Sequence, residues 1–226
     1  MPLDQAALEA AMNQAIELAA ATRDPKPNPR VGCVILAPDG SVIATGAHDG
    51  PGNPHAEVIA LAVAGDRARG ATAVVTLEPC NHKGRTGPCS KALIDAGVTR
   101  VVFGQPDPNP QAAGGADALR SAGVLVTDGF MADAAQTLNA DWTLAMTRQR
   151  PEVTWKLAAT LDGWVAAADG SSKWITGDAA RAQVQQLRAE HDAVLVGTTT
   201  VLTDDPELTA RTPQPSPQPW RIVMGQ

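Results

Sequence analysis

Three cysteines in 226 residues are too few, and too odd in number, for a disulfide framework. Long apolar runs are missing as well, and nothing approaches the length needed to cross a bilayer. The opening residues Met1, Pro2, Leu3 and Asp4 lack the basic stretch and apolar segment of a secretory signal. A cytoplasmic location with no membrane partner is therefore the expectation. Positive charge is also short. Lys and Arg number 18 against 24 Asp and Glu, a formal charge of −6. Phosphate backbones are held by basic surface, so no nucleic acid is expected as a partner. A small phosphorylated ligand needs only a local positive cluster and stays compatible. No Gly-x-Gly-x-x-Gly fingerprint and no internal repeat occur.

What is present has the balance of a globular protein, 44% hydrophobic and 19% charged. The length allows one or two domains. Residues 4–23 carry apolar side chains at helical spacing and stop at the proline-rich Asp24-Pro25-Lys26-Pro27-Asn28-Pro29. Strands are predicted over 31–36 and 42–47 around the turn Pro38-Asp39-Gly40. A helix is predicted over 55–64, a strand over 71–77, a helix over 90–96, a strand over 100–103, a helix over 115–122 and a strand over 124–127. This alternation argues for a layered α/β domain. One further helix is predicted over 131–146, then a linker at Arg148-Gln149-Arg150-Pro151. The pattern restarts with a strand over 152–158, a helix over 178–190, a strand over 193–197, a Pro- and Gln-rich loop over 212–219 and a buried strand over 221–224. So few strands after residue 151 suggest an incomplete second domain.

The chemistry concentrates in the first part. Pro54-His55-Ala56-Glu57 lies at a helix start, Pro79-Cys80 follows a strand, and Cys89 opens the next helix. One imidazole and two thiolates leave a fourth position open, the pattern of a catalytic rather than a closed structural zinc site. Two sulfurs and an imidazole favour zinc among the borderline metals. Glu57 is too close to His55 to act as an independent ligand and suits a proton shuttle. A helix N-terminus also favours thiolate at Cys89. His-x-Glu followed by Pro-Cys-x-x-Cys is the zinc deaminase signature. A buried cysteine pair beside a loop histidine, without metal, is the alternative. Cys33, inside a strand, reads as core. Here eight residues, 81–88, separate the cysteines where the signature has two. His82, Lys83 and Arg85 in that loop suit a phosphate or a polar heterocycle, or else form a solvated basic turn.

Pro-His-Ala-Glu, the stretch Thr76-Leu77-Glu78-Pro79-Cys80-Asn81-His82-Lys83-Gly84-Arg85-Thr86-Gly87-Pro88-Cys89, and Asp107-Pro108-Asn109-Pro110 together resemble the bifunctional riboflavin-biosynthesis deaminase/reductase family. The resemblance extends over nearly the whole chain. It implies a cytidine-deaminase-like three-layer α/β/α domain over 1–147, followed by a partial dihydrofolate-reductase-like α/β domain over 151–226. The implied reaction is hydrolytic deamination of 2,5-diamino-6-(5-phosphoribosylamino)pyrimidin-4-one at its 2-amino group. Zn2+ would be held by His55, Cys80 and Cys89, with Glu57 catalytic. The resemblance places substrate contacts at Asn28, His48, His82 and Arg85.

In the second domain the matching stretches are Lys156-Leu157-Ala158-Ala159-Thr160-Leu161-Asp162-Gly163, Ser172-Lys173-Trp174-Ile175-Thr176 and Val201-Leu202-Thr203-Asp204-Asp205-Pro206. They imply an NADPH-dependent ribosyl-to-ribityl reductase, with Ala158, Trp174, Thr200 and Asp204 toward the cofactor. Ser172, Arg188, Leu208 and Arg211 would face the substrate. Read without the family, Trp174 is a core aromatic and Arg188 a surface helix residue. The family's reductase part continues past the position of Gln226 into a Gly-rich segment that helps bind NADPH, so reduction by this chain is expected to be weak or absent. An exposed sheet edge and homo-oligomeric association are further expectations.

Two rival functions remain compatible with the sequence. A nucleic-acid (tRNA) base deaminase would use the same zinc chemistry, and the acidic charge and long inter-cysteine loop count against it. A zinc-stabilised, non-catalytic binding module would need four protein ligands and no carboxylate beside the histidine.

Overall fold

Asp4 opens the first helix, its carboxylate accepting the Ala6 N–H at 3.4 Å. Helix α1 then runs over Gln5–Ala20. The computed structural model describes residues 3–22, 25–82 and 87–225. Two units divide the chain, residues 1–153 and 154–226.

In the first unit five strands form one sheet: β1 (Gly32–Leu36), β2 (Val42–Ala47), β3 (Thr72–Leu77), β4 (Arg100–Gln105) and β5 (Leu125–Thr127). Their order is β2-β1-β3-β4-β5. Strand β1 runs antiparallel to β2 and β3, while β3, β4 and β5 are mutually parallel. Helices α2 (Ala56–Ala64), α3 (Cys89–Asp95), α4 (Gly115–Ser121), α5 (Ala132–Leu138) and α6 (Ala140–Arg148) complete the unit. Successive strand residues point to opposite faces. Val34, Leu36, Val74 and Val102 meet Leu8, Met12 and Ala15 of α1. Cys33, Ile35, Val75, Val101 and Phe103 meet Ala56 and Ala60 of α2, Leu93 of α3 and Leu119 of α4. With helices on both faces, β1 and β3 are buried along their whole length. The expected three-layer α/β/α domain is present, and Cys33 is a core residue at 0% exposure.

The helix expected over 131–146 is in fact two. Asn139, at φ −126° and ψ 31°, ends α5 and begins α6. Its side chain is engaged elsewhere: Oδ1 accepts the Arg30 N–H and Nδ2 donates to the Arg30 carbonyl, both at 2.8 Å. That long-range pairing draws the backbone out of helical geometry.

The second unit contains α7 (Asp178–Glu190), β6 (Ala193–Gly197), α8 (Thr198–Asp204) and β7 (Trp220–Met224), with β6 and β7 parallel. Two expectations fail here. Residues 152–158 form no strand, because no ladder partner adjoins them among the described residues and β propensity needs pairing to be realised. Strand β7 is exposed rather than buried at all five residues, in a sheet where β6 is its one partner among the described residues.

Candidate metal centre and active site

His55 is the N-cap of α2, and Glu57 lies in its first turn. The α2 N-terminus sits hard against β2, where a Cβ on Gly46 would come within 2.2 Å of the Ala56 carbonyl oxygen. Any side chain at that position would push α2 away from the sheet. Cys80 follows β3 by three residues, and Cys89 is the first residue of α3. The three donor groups converge: His55 Nδ1 lies 3.2 Å from Cys89 Sγ and 3.6 Å from Cys80 Sγ. All three donor atoms fall within 4.8 Å of one another. Tetrahedral zinc with ordinary Zn–N and Zn–S bonds would separate such nitrogen and sulfur atoms by roughly 3.6 Å. The donor set therefore fits the ion in both type and spacing.

The donor groups are coupled to one another through hydrogen bonds. Hydrogen bonding from Cys89 lowers the Cys80 thiol to about 4, with His55 adding to the effect, and the Cys89 thiol is pushed up in turn. The Cys89 backbone N–H also points at Cys80 Sγ, 3.5 Å away. The Cys80 hydrogen bond raises His55. Glu57 is 3% exposed, and burial raises its carboxyl to about 7. Burial likewise pushes the Cys33 thiol up.

A cavity of about 590 Å³ opens onto these groups, within the usual size for a small-molecule site. Asn28, His48 and His82 line it together with His55, Glu57 and Cys80. His48 Nδ1 donates to the Pro54 carbonyl at 3.0 Å, and Nε2 accepts from Asn28 Nδ2 at 2.9 Å. The His48 ring meets the His55 ring edge to face, with centroids 5.2 Å apart. Buried His82 Nδ1 has no hydrogen-bond partner among the described residues. Arg85 and Lys83 lie outside the described residues.

Sequence reasoning missed Glu78, Trp142 and Met146 on this cavity, and it gave Asp107 and Asn109 no role. Glu78 is 8% exposed. Its Oε1 accepts the N–H groups of Gly114 and Ala116, at 3.2 and 2.9 Å, and its Oε2 accepts that of Asp107 at 3.1 Å. Residues 107–116 are thereby tied to the segment that presents Cys80. Asn81 N–H adds a bond to the Ala112 carbonyl at 2.9 Å. A Cβ on Gly115 would lie 1.6 Å from the Pro79 oxygen, so the two segments touch backbone to backbone. An acid placed between a buried strand and Pro79-Cys80 was the available signal. Burial raises the Asp107 carboxyl to about 6, with the Glu78 charge adding to it.

In the second unit Ser172 and Trp174 line one cavity with Thr160, Asp162 and Trp164. The Arg181 guanidinium stands over the Trp174 ring, 4.6 Å from its centroid. Ala158, Thr200, Asp204, Arg188, Leu208 and Arg211 do not line that cavity. Thr200 and Asp204 lie exposed on α8. Arg188 donates to the Thr209 carbonyl at 3.2 Å, and its pKa is lowered by burial and by the nearby Arg211 charge. Arg211 pairs with Glu207 at 2.7 Å, and Leu208 is buried.

Residues 5–105 match the family described as the cytidine and deoxycytidylate deaminase zinc-binding region. Residues 151–226 match the RibD C-terminal domain. The riboflavin biosynthesis protein RibD of Corynebacterium ammoniagenes is 46% identical over 228 residues, covering 100% of this chain and 67% of its own. The chain belongs to the RibD family. The Escherichia coli RibD is 53% identical over 186 residues, or 82% of this chain and 50% of its own. Among solved structures, Acinetobacter baumannii RibD superposes with a TM-score of 0.87 at 46% identity, covering 99% of this chain and 64% of that one. A Thermotoga maritima diaminohydroxyphosphoribosylaminopyrimidine deaminase/5-amino-6-(5-phosphoribosylamino)uracil reductase gives a TM-score of 0.85 at 41% identity, with 96% and 63% covered. The chain thus spans about half to two thirds of the length of these relatives. No helix among the described residues is long and apolar enough to cross a membrane.

Proposed function

We propose that residues 1–147 replace the 2-amino group of 2,5-diamino-6-(5-phosphoribosylamino)pyrimidin-4-one by oxygen, giving 5-amino-6-(5-phosphoribosylamino)uracil and ammonia. The observation that carries this reading is a buried Glu57 sharing one cavity with His55 and Cys80 of a three-donor cluster. A structural metal site has no use for such a carboxylate. The substrate follows from membership of the RibD family.

His55 Nδ1 and the sulfurs of Cys80 and Cys89 would hold zinc. When bound, zinc supplies the Lewis acidity that makes water nucleophilic near neutral pH. Glu57 takes one proton of the attacking water on a carboxylate oxygen and gives it to the ring nitrogen, then carries the second, left on the new hydroxyl, to the amino group, which departs as ammonia as the C=O forms. Burial raises this carboxyl above the usual carboxylate range, which suits a group that both accepts and gives up a proton. Asn28 and His48, bonded to each other on the cavity wall, contact the heterocycle. His82, which lines the cavity, and Arg85, by its place in the family motif, contact the substrate.

Residues 151–226 supply part of an NADPH-dependent reductase, with Ala158, Trp174, Thr200 and Asp204 toward the cofactor and Ser172, Arg188, Leu208 and Arg211 toward its substrate. Ser172 and Trp174 of these line one cavity. A cytoplasmic location and association into homo-oligomers belong to the same reading.

Ammonia release by the zinc-loaded polypeptide decides among substrates. The diaminopyrimidine ribosyl phosphate should be consumed, whereas cytidine nucleotides and a tRNA should not. Preferential turnover of tRNA would replace this reading with base deamination.

A further inference from the structure

Aromatic side chains are scarce in the first unit. The chain has no tyrosine, two phenylalanines and five tryptophans. Phe103 is 1% exposed in the core, and Phe130 packs in the cluster on the α1 side of the sheet. Tryptophans 155, 164, 174 and 220 belong to the second unit. Apart from His48, His55 and His82, Trp142 is therefore the one aromatic ring on the cavity lining among the described residues. His48 is committed to Pro54 and Asn28, and His55 to the two sulfurs.

Trp142 is held where it stands. Three residues before it, the Asn139 amide grips both the N–H and the carbonyl of Arg30, two residues beyond Asn28. One residue after it, the Thr143 hydroxyl accepts from Gln105 Nε2 at 2.8 Å, at the end of β4. Between these anchors the indole packs on the core and also faces the cavity. Met146, four residues on and so on the same helical face, lines the cavity too. Helix α6 is fastened as a wall of the site.

We propose that Trp142 is a specificity-determining residue whose indole packs against the bound pyrimidine nucleotide, and that Asn139 is the positioning residue that sets this wall relative to Asn28. The inference rests on the deaminase reading above. A planar heterocycle gains most from a flat, apolar partner whose pose is fixed beforehand. Base–aromatic stacking lost on truncation corresponds to roughly a ten- to hundredfold loss of affinity.

The test uses the zinc-loaded full chain. Trp142→Ala should raise KM for the diaminopyrimidine ribosyl phosphate about ten- to hundredfold while kcat changes far less, the mark of lost ground-state binding. Trp142→Phe should restore most of the affinity. Asn139→Ala should raise KM as well, with Trp142 intact. Titrating the same substrate into Glu57→Gln protein should change tryptophan emission, and that change should vanish in Glu57→Gln/Trp142→Phe although four tryptophans remain. This second arm serves even where the alanine variant does not fold. Wild-type turnover with an unchanged KM in Trp142→Ala, or an emission change that survives in the double variant, overturns the inference alone. A wild-type chain that neither binds nor turns over this substrate overturns the deaminase reading and the inference with it.

Discussion

At the scale of single residues, Glu78 shows how a site is held by a group that does no chemistry. Its carboxylate satisfies three backbone N–H groups on a segment that begins 29 residues further along the chain. Glu78→Gln puts an N–H₂ group where an acceptor is needed and should cost about 2 kcal/mol. A lower urea midpoint and weaker zinc binding in a competition titration would check both consequences. Asp107 offers a pH handle. Its folded pKa of about 6 lies above the usual value of about 3.9, so the folded state binds the proton more tightly. The stabilisation is complete below about pH 4 and is lost as the pH rises through 6. Denaturant midpoints should decline across that window, and Asp107→Asn should flatten the decline. His55, Cys80 and Cys89 were legible as a zinc-type donor set, which the structure gathers within 4.8 Å, and Glu57 from its place in the deaminase signature. Glu78 gave only a weaker signal, an acid beside a buried strand, since its partners are backbone groups that no residue type announces.

At the scale of elements, the site depends on two places where backbones touch. Gly46 lets the α2 N-terminus meet β2, and Gly115 lets the start of α4 meet Pro79 beside Cys80. Gly115→Ala places a carbon on top of the Pro79 oxygen, and the required shift should cost about 3 kcal/mol. Thermal melts should show the loss of stability, and zinc should bind more weakly because Cys80 moves with Pro79. An alanine variant with wild-type melting and wild-type zinc affinity would contradict this packing. Helix and strand periodicity predicted most elements of the first unit to within two residues, since nearly every one buries a regular apolar face. It missed the break at Asn139, whose cause is a hydrogen-bonded partner 109 residues away. It also missed the exposure of β7 and the irregular course of 152–158, where tertiary pairing rather than local pattern decides.

At the scale of the whole molecule, the two units differ in how they are held. The first buries both faces of a five-stranded sheet. In the second, Leu208 and Ala210 are its only buried apolar side chains apart from proline among the described residues. Zinc binds only the first on this account, so adding it should raise one calorimetric transition by mass action and leave the other unmoved. Cys80→Ala should abolish that shift. The central claim is hydrolytic deamination with Glu57 as the proton carrier. The most direct measurement incubates the zinc-loaded chain and its Glu57→Gln variant with the diaminopyrimidine ribosyl phosphate in ¹⁸O-enriched water, and follows the product by mass spectrometry. The account predicts one ¹⁸O at the carbon that carried the 2-amino group, and a rate reduced at least about a hundredfold in the zinc-loaded variant. An unlabelled product, or a variant that turns over at the wild-type rate, would contradict it.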